Sequence, residues 1–406
     1  MENVSALVCR ECGRRYPVEP LSICEFCFGP LEAEYDLESL RGVVTRESIE
    51  AGPPTLWRYR PLLPAPATDP VDLGAGFTPM RRAERLGEAL GLSDLWLKDD
   101  TGNPTGSFKD RVVSVAVTAS REFGYDTVAC ASTGNLANAT AAHAAKAGMV
   151  SYIFVPADLE RAKIIATAAY GGRVVAVKGN YDDVNRLCSE VAEVFPWAFV
   201  NVNVRPFYAE GSKTLGFETA EQLGWRLPDH VVVPIASGAL MTKIHKGFRQ
   251  FAALDLVEDR AVRVSGAQAS GCSPVATAFK TGADHVRPVK PETIAKSLAI
   301  GNPADGYYAL RLARETGGAI DDVSDEEIID GVRLLAETEG LFAETAGGVT
   351  IGVLKRLCET GVVRSDETVV AYVTGTGFKT VEALEEKVGP TMTVSPSLEE
   401  FQDQLN

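Results

Sequence analysis

Short apolar runs alternate with helix-length amphipathic stretches along the chain from about residue 95. Short apolar runs, most of them rich in β-branched residues, predict buried strands at residues 95–98, 127–130, 150–155, 174–177, 231–233 and 368–373. Amphipathic stretches such as residues 181–195 and 325–339 predict helices. Because strands that alternate with helices form βαβ units, the sequence predicts an α/β fold with mainly parallel sheets covered on both faces.

Both ends of the chain and one connection depart from this alternation. Residues 1–36 hold paired cysteines with little periodicity, and residues 51–76 are rich in proline, alanine and glycine. We therefore expect a small separate segment at the N-terminal end, followed by a long irregular connection. Residues 389–406 are acidic and contain prolines, so we expect a poorly ordered acidic tail there.

Composition narrows the classes of function. The 406 residues predict two to three domains, and 45% hydrophobic with 23% charged residues is typical of a globular protein. The net charge of −15 disfavours nucleic acid and anionic membranes as partners, although a small anionic substrate responds to local charge instead. No apolar run reaches about 20 residues and the first residues are not basic, so we expect no membrane span, no secretory leader and a cytoplasmic location.

The cysteines near the start of the chain are spaced like metal ligands. Cys9 and Cys12 form one pair, Cys24 and Cys27 form another, and eleven residues separate the pairs. This spacing predicts a structural zinc ribbon, in which four thiolates leave no open position for catalysis. Accidental pairing and a redox dithiol are the alternatives. The remaining cysteines stand singly, as expected of reduced thiols in a cytosolic protein.

A lysine is predicted at the start of a helix that follows a strand and a glycine-containing loop. Ser107 is a candidate helix cap, with Asp110 completing a capping-box pattern. Lys109 then lies in the first turn, where the helix dipole disfavours a cation and favours the neutral amine that forms Schiff bases. The neighbouring Phe108 is a candidate to pack against a flat cofactor ring. The alternative is a solvated lysine that covers the helix end.

Three loops that follow predicted strands are candidate anion sites. They span residues 130–135, 234–240 and 374–377, and they combine small residues and hydroxyls with a following helix. Asn135 adds both a donor and an acceptor. Because ligands bind at the carboxyl ends of parallel strands, these loops and Lys109 together favour one ligand site over ordinary turn chemistry.

A polar segment at residues 201–214 contains further candidates for binding an anionic substrate. They are Asn203, Arg205 and Lys213, and a solvated loop is the alternative interpretation. The four histidines share no recognisable spacing. The sequence therefore predicts neither a histidine metal site nor a Ser-His-Asp triad.

The stretch Asn-Pro-Thr-Gly-Ser-Phe-Lys-Asp-Arg at residues 103–111 resembles the Schiff-base motif of the fold-type-II pyridoxal-phosphate enzymes, within which the chain is similar to the threonine synthases. The resemblance covers about residues 74–388. It implies a fold of two α/β lobes like the β subunit of tryptophan synthase, preceded by the zinc-ribbon-like segment 1–36. The implied large lobe comprises residues 37–125 and 211–388, and the small lobe comprises residues 126–210.

The same resemblance implies roles for individual residues. Lys109 would be the Schiff-base lysine, Asn135 would hydrogen-bond the ring hydroxyl of the cofactor, and Thr374 would face its pyridine nitrogen. The cofactor phosphate would lie against Ala236, Ser237, Gly238, Ala239 and Leu240. Ser132 and Thr133 are the candidates for binding the carboxylate or phosphate of the substrate.

The implied reaction converts O-phospho-L-homoserine and water to L-threonine and phosphate, by γ-elimination and β-addition of water, in a homodimer. Two features depart from the family pattern: the phosphate loop holds a single glycine, and Tyr208 occupies a position where some relatives carry arginine. One alternative is a serine or threonine dehydratase, or a β-replacement enzyme acting on a phosphorylated amino acid. An alternative of another class is a non-catalytic zinc-ribbon interaction protein.

Overall fold

Three β-sheets organise the chain, which a computed structural model describes at residues 1, 3–64, 66, 69–385 and 387–405. The strands are β1 (Ala6–Cys9), β2 (Arg15–Tyr16), β3 (Leu31–Glu34), β4 (Met80–Arg82), β5 (Asp94–Asp99), β6 (Thr127–Ala131), β7 (Val150–Pro156), β8 (Arg173–Val177), β9 (Ala198–Phe199), β10 (His230–Pro234), β11 (Arg263–Ala269), β12 (Ile320–Val323) and β13 (Thr368–Val373). Every strand that the apolar runs predict is present.

The helices alternate with these strands. They are α1 (Leu37–Leu40), α2 (Arg46–Glu50), α3 (Glu84–Leu90), α4 (Lys109–Glu122), α5 (Asn135–Ala147), α6 (Arg161–Ala169), α7 (Tyr181–Val194), α8 (Arg205–Gly211), α9 (Thr214–Gln222), α10 (Ala239–Ala253), α11 (Pro274–Lys280), α12 (Gly306–Glu315), α13 (Asp325–Glu339), α14 (Thr345–Glu359) and α15 (Leu398–Leu405). None of the helices in the described part of the chain is long and apolar enough to cross a membrane.

Two of the sheets are mainly parallel, which confirms the predicted fold class. The larger has the strand order β12-β11-β10-β13-β5-β4, and only β4 runs antiparallel to its neighbour. The smaller has the order β8-β7-β6-β9 and is parallel throughout. Every residue of β10 is buried, as expected for a central strand covered by helices on both faces. The smaller sheet falls within the predicted small lobe.

A third, antiparallel sheet of order β2-β1-β3 lies in the cysteine-containing segment. After it, the connection expected to be irregular contains a 3₁₀ segment, Leu56–Leu62, whose Trp57 and Tyr59 side chains are buried in the core. The C-terminal tail also differs from the expectation, because residues Leu398–Leu405 form α15. That helix has no buried residue.

Candidate functional site

A cavity of about 520 Å³ lies where the carboxyl ends of strands from the two parallel sheets face each other. The loop after β6 comes from the smaller sheet, whereas the loops after β10 and β13 come from the larger one. All three loops that the sequence singled out as anion sites therefore contribute to one cavity wall. Residues that line the cavity include Phe108, Lys109, Ser132, Thr133, Asn135, Ala236, Ser237, Gly238, Ala239, Leu240 and Thr374.

Lys109 is the first residue of α4 and lies in the cavity wall. Its Nζ donates a hydrogen bond of 2.8 Å to the hydroxyl of Tyr208. Burial lowers the pKa of Lys109 to about 8, and the nearby Glu344 carboxylate opposes part of that shift. About a tenth of the amine is therefore neutral at pH 7, far more than for an ordinary lysine.

The start of α4 differs from the predicted cap. Phe108 occupies the cap position, and no side chain caps the helix. Ser107 instead forms a β-bridge with Gly375, and the Phe108 amide donates to the Thr374 carbonyl at 2.9 Å. These backbone contacts hold the helix start against the loop after β13. The Asp110 carboxylate accepts hydrogen bonds from the amide and hydroxyl of Thr105, so it is not free for a capping box.

Asn135 lines the cavity and carries a buried acceptor atom without a partner among the described residues. Its Nδ2 lies 2.9 Å from both carboxylate oxygens of Glu344, and a carboxylate only accepts, so this contact fixes the orientation of the amide. Its Oδ1 is buried and has no hydrogen-bond partner within the described parts of the chain. A buried acceptor of this kind is costly unless a ligand supplies a donor.

Glu344 was not predicted from the sequence. It precedes α14 at the helix start and is 1% exposed. Gly375 allows its close approach, because a Cβ at that position would lie 2.5 Å from Glu344 Oε1. The only local signal was an acidic residue directly before a run of small residues, Thr-Ala-Gly-Gly, that begins a helix.

The loop before α10 uses its one glycine where backbone geometry demands it. Gly238 has φ +95°, and a Cβ there would lie 2.6 Å from the carbonyl oxygen of Asp305. The Asp305 amide in turn donates to the Ser237 carbonyl at 2.8 Å. The loop is thus held from behind, and its small residues face the cavity at a helix start suited to an anion.

Three of the candidate substrate residues line the cavity. Ser132 also holds the start of α5, since its Oγ accepts from the amides of Gly134, the cap residue, and Ala137 in the first turn at 2.9 and 2.8 Å. Thr133 lies beside it in the wall. Arg205 faces the cavity while its guanidinium pairs with the buried Asp305 carboxylate.

The structure does not bring Asn203 or Lys213 to the cavity. Asn203 closes a turn after β9, where its Oδ1 accepts from the Phe199 amide at 2.8 Å. Lys213 is fully buried, with its Nζ 2.6 Å from Glu210 Oε2 and 3.8 Å from the centre of the Tyr35 ring. Burial lowers the pKa of Lys213 to about 7, against the opposing effect of Glu210. Both side chains are therefore engaged by the fold.

The four N-terminal cysteines converge. The Sγ atoms of Cys9, Cys12, Cys24 and Cys27 all lie within 4.8 Å of one another. Cys9 and Cys27 are separated by 3.4 Å, and Cys12 and Cys24 by 3.7 Å. A tetrahedral zinc with Zn–S bonds of about 2.3 Å would separate its ligands by roughly 3.8 Å. The donor set therefore fits a structural metal.

Comparison with known proteins gives a family for the greater part of the chain. Residues 71–375 match the family described as "Pyridoxal-phosphate dependent enzyme". The chain is 38% identical over 376 residues to threonine synthase from Methanosarcina acetivorans, covering 91% of both chains. It is 37% identical over 378 residues to threonine synthase from Methanocaldococcus jannaschii, covering 92% of this chain and 93% of the relative.

Solved structures with a similar fold are more distant in sequence. Threonine deaminase isoform 2 from Solanum lycopersicum has a TM-score of 0.63 at 23% identity, covering 77% of this chain and 88% of that one. Diaminopropionate ammonia lyase from Escherichia coli has a TM-score of 0.67 at 18% identity, covering 78% of this chain and 88% of that one. These likenesses show a shared fold.

Proposed function

The chain belongs to the pyridoxal-phosphate-dependent enzymes, and we propose that within this family it is a threonine synthase. The reaction is the conversion of O-phospho-L-homoserine and water to L-threonine and phosphate, the work of a carbon–oxygen lyase. The observation that carries the proposal is the 38% identity to a threonine synthase across 91% of both chains.

The residues in the cavity fit pyridoxal phosphate. The buried Asn135 Oδ1 lacks a partner among the described residues, which suits the ring hydroxyl of the cofactor. Gly238 leaves no room for a Cβ against the Asp305 carbonyl, which holds the loop 236–240 in place. The small residues of this loop line the cavity at the start of α10, which suits the cofactor phosphate. Lys109 would hold the cofactor covalently, with Phe108 and Thr374 beside the ring.

When bound, the cofactor supplies an electron sink for carbanions. The protein's own side chains supply proton transfer and orientation. Lys109 has a pKa of about 8, so its Nζ can both accept and donate protons near neutral pH. The Tyr208 hydroxyl, 2.8 Å away, orients that nitrogen. Glu344 holds the Asn135 amide in one orientation, which keeps Oδ1 available as an acceptor.

The substrate is a small phosphorylated amino acid, and we assign its anionic groups to Thr133 and Arg205, with Ser132 supporting the loop through the amides at the start of α5. Arg205 is a planar donor that suits a phosphate or carboxylate. Asn203 and Lys213 are left out of this assignment, since their polar atoms are engaged away from the cavity.

The proposal includes a structural zinc ion on Cys9, Cys12, Cys24 and Cys27. The spacing of the four sulfur atoms supports this ion. Four thiolate ligands leave no coordination position open for catalysis. A cytoplasmic homodimer is part of the same proposal and rests on the family resemblance alone.

The test is product analysis with the purified full chain loaded with pyridoxal phosphate. Incubation with O-phospho-L-homoserine is expected to release threonine and phosphate in equal amounts. O-phosphoserine serves as the control and is expected to release little phosphate. A dehydratase would instead accumulate a 2-oxo acid, and phosphate release without threonine would overturn the assignment.

A further inference from the structure

Arg10 and Glu11, the two residues between the first pair of cysteines, contact the start of α12. Arg10 Nη1 lies 3.0 Å from Asp305 Oδ1, and its guanidinium carbon lies 3.6 Å from the centre of the Tyr308 ring. The Tyr308 hydroxyl donates to the Glu11 carboxylate. The loop between Cys9 and Cys12 therefore contacts this segment through the side chains of both Arg10 and Glu11.

Asp305 connects these contacts of the cysteine segment to the cavity. It is 4% exposed, and its two carboxylate oxygens bind different arginines, with Oδ1 on Arg10 and Oδ2 on Arg205. Its amide donates to the Ser237 carbonyl, and its own carbonyl lies where a Cβ on Gly238 would fall. One buried residue thus contacts the cysteine segment, the cavity arginine and the phosphate loop.

We propose that Arg10 is a positioning residue for substrate binding, which acts through Asp305 on Arg205. A guanidinium and a carboxylate prefer to pair through two parallel hydrogen bonds. Because Arg10 occupies Oδ1, Arg205 is limited to Oδ2 and keeps donors for an anion in the cavity. Without Arg10, Arg205 takes both oxygens of the buried carboxylate and turns away from the substrate.

This inference rests on the proposed function for the identity of the substrate, but its principal readout is binding of inorganic phosphate. Phosphate is the expected product, so its dissociation constant for the cofactor-loaded enzyme reports on the same anion site. The measurement is independent of whether threonine is formed. Failure of the wild-type enzyme to make threonine would therefore count against the proposed function and leave the phosphate result standing.

The matched variants are Arg10→Gln and Arg15→Gln, two arginines of the same small sheet region. Arg15 is 58% exposed at its side chain and pairs with Glu34 on the surface. In Arg10→Gln we expect the phosphate Kd and the substrate KM to rise about tenfold, as loss of a charge-assisted hydrogen bond implies, with kcat changed less than about twofold. Arg15→Gln is expected to match the wild type, and Arg10→Lys to recover part of the loss.

A double-mutant cycle with Asp305→Asn separates positioning from general destabilisation. If Arg10 acts through Asp305, adding Arg10→Gln to Asp305→Asn changes the phosphate Kd no further. The proposal is overturned if the rise in phosphate Kd of the double variant equals the product of the rises in the two single variants. It is also overturned if the phosphate Kd of Arg10→Gln is unchanged. Thermal melting and metal content identify any variant that fails to fold, in which case Arg10→Lys carries the same comparison.

Discussion

The pH should control how fast the apoprotein takes up pyridoxal phosphate, because only the neutral amine of Lys109 attacks the aldehyde of the cofactor. Burial lowers the pKa of this amine from 10.5 to about 8. At pH 7 about 9% of it is then neutral, against about 0.03% for an ordinary lysine, a ratio of about 300. A lowered pKa extends the reactive form to lower pH.

Stopped-flow absorbance of cofactor uptake between pH 6 and 10 measures this directly. The rate is expected to rise about tenfold per pH unit and to level off above about pH 8. Nα-acetyl-lysine under identical conditions corrects for ionisation of the cofactor itself, and its rate continues to rise to about pH 10.5. Glu344→Gln removes a carboxylate that raises the pKa, so its plateau begins at lower pH. A wild-type rate with the same pH dependence as that of Nα-acetyl-lysine would show that the pKa of Lys109 is not lowered.

Three further predictions concern the lysine, the phosphate loop and the cysteine segment. Lys109→Ala is expected to lower turnover by about 10²–10⁴-fold or more, since a general acid–base contributes roughly that factor, and to leave the circular dichroism spectrum unchanged. Threonine formation at the wild-type rate would contradict the role of Lys109. Gly238→Ala places a Cβ 2.6 Å from the Asp305 carbonyl, so the cofactor Kd is expected to rise about tenfold or more, whereas Gly224→Ala, also at positive φ but with open space around it, leaves that Kd unchanged. Chelation of the metal is expected to raise hydrogen exchange in residues 1–36 while the cofactor absorbance remains, and equal loss of both would argue against a separate structural role.

The position of Lys109 was predictable because it depends on local pattern. An apolar run, a glycine-containing loop and an amphipathic stretch place the residue at a helix start, and α4 begins there. The cap was not predictable, since Ser107 is held by a β-bridge to Gly375, far along the chain. Local rules describe an isolated helix, and the bridge to the loop after β13 overrides them.

Lys213 and Glu344 show where sequence reasoning fails for the site. Lys213 stands in a polar segment before a helix, but the fold buries its side chain against Glu210 and against the ring of Tyr35, which lies far away in the chain. Glu344 is separated from Asn135 by 209 residues, so no local pattern joins the pair. Arg10 and Asp305 are separated by 295 residues, so only the fold brings them into contact. Chemistry within one loop is visible in the sequence, whereas partners supplied by the fold are not.

In the proposed reaction, phosphate leaves from the γ carbon with its bridging oxygen, and water then adds to the β carbon. The most direct measurement is mass spectrometry of both products formed from O-phospho-L-homoserine in ¹⁸O-enriched water. One labelled oxygen is expected in the threonine hydroxyl and none in the phosphate. Labelled phosphate accompanied by homoserine would reveal simple phosphate-ester hydrolysis and would contradict the proposed reaction.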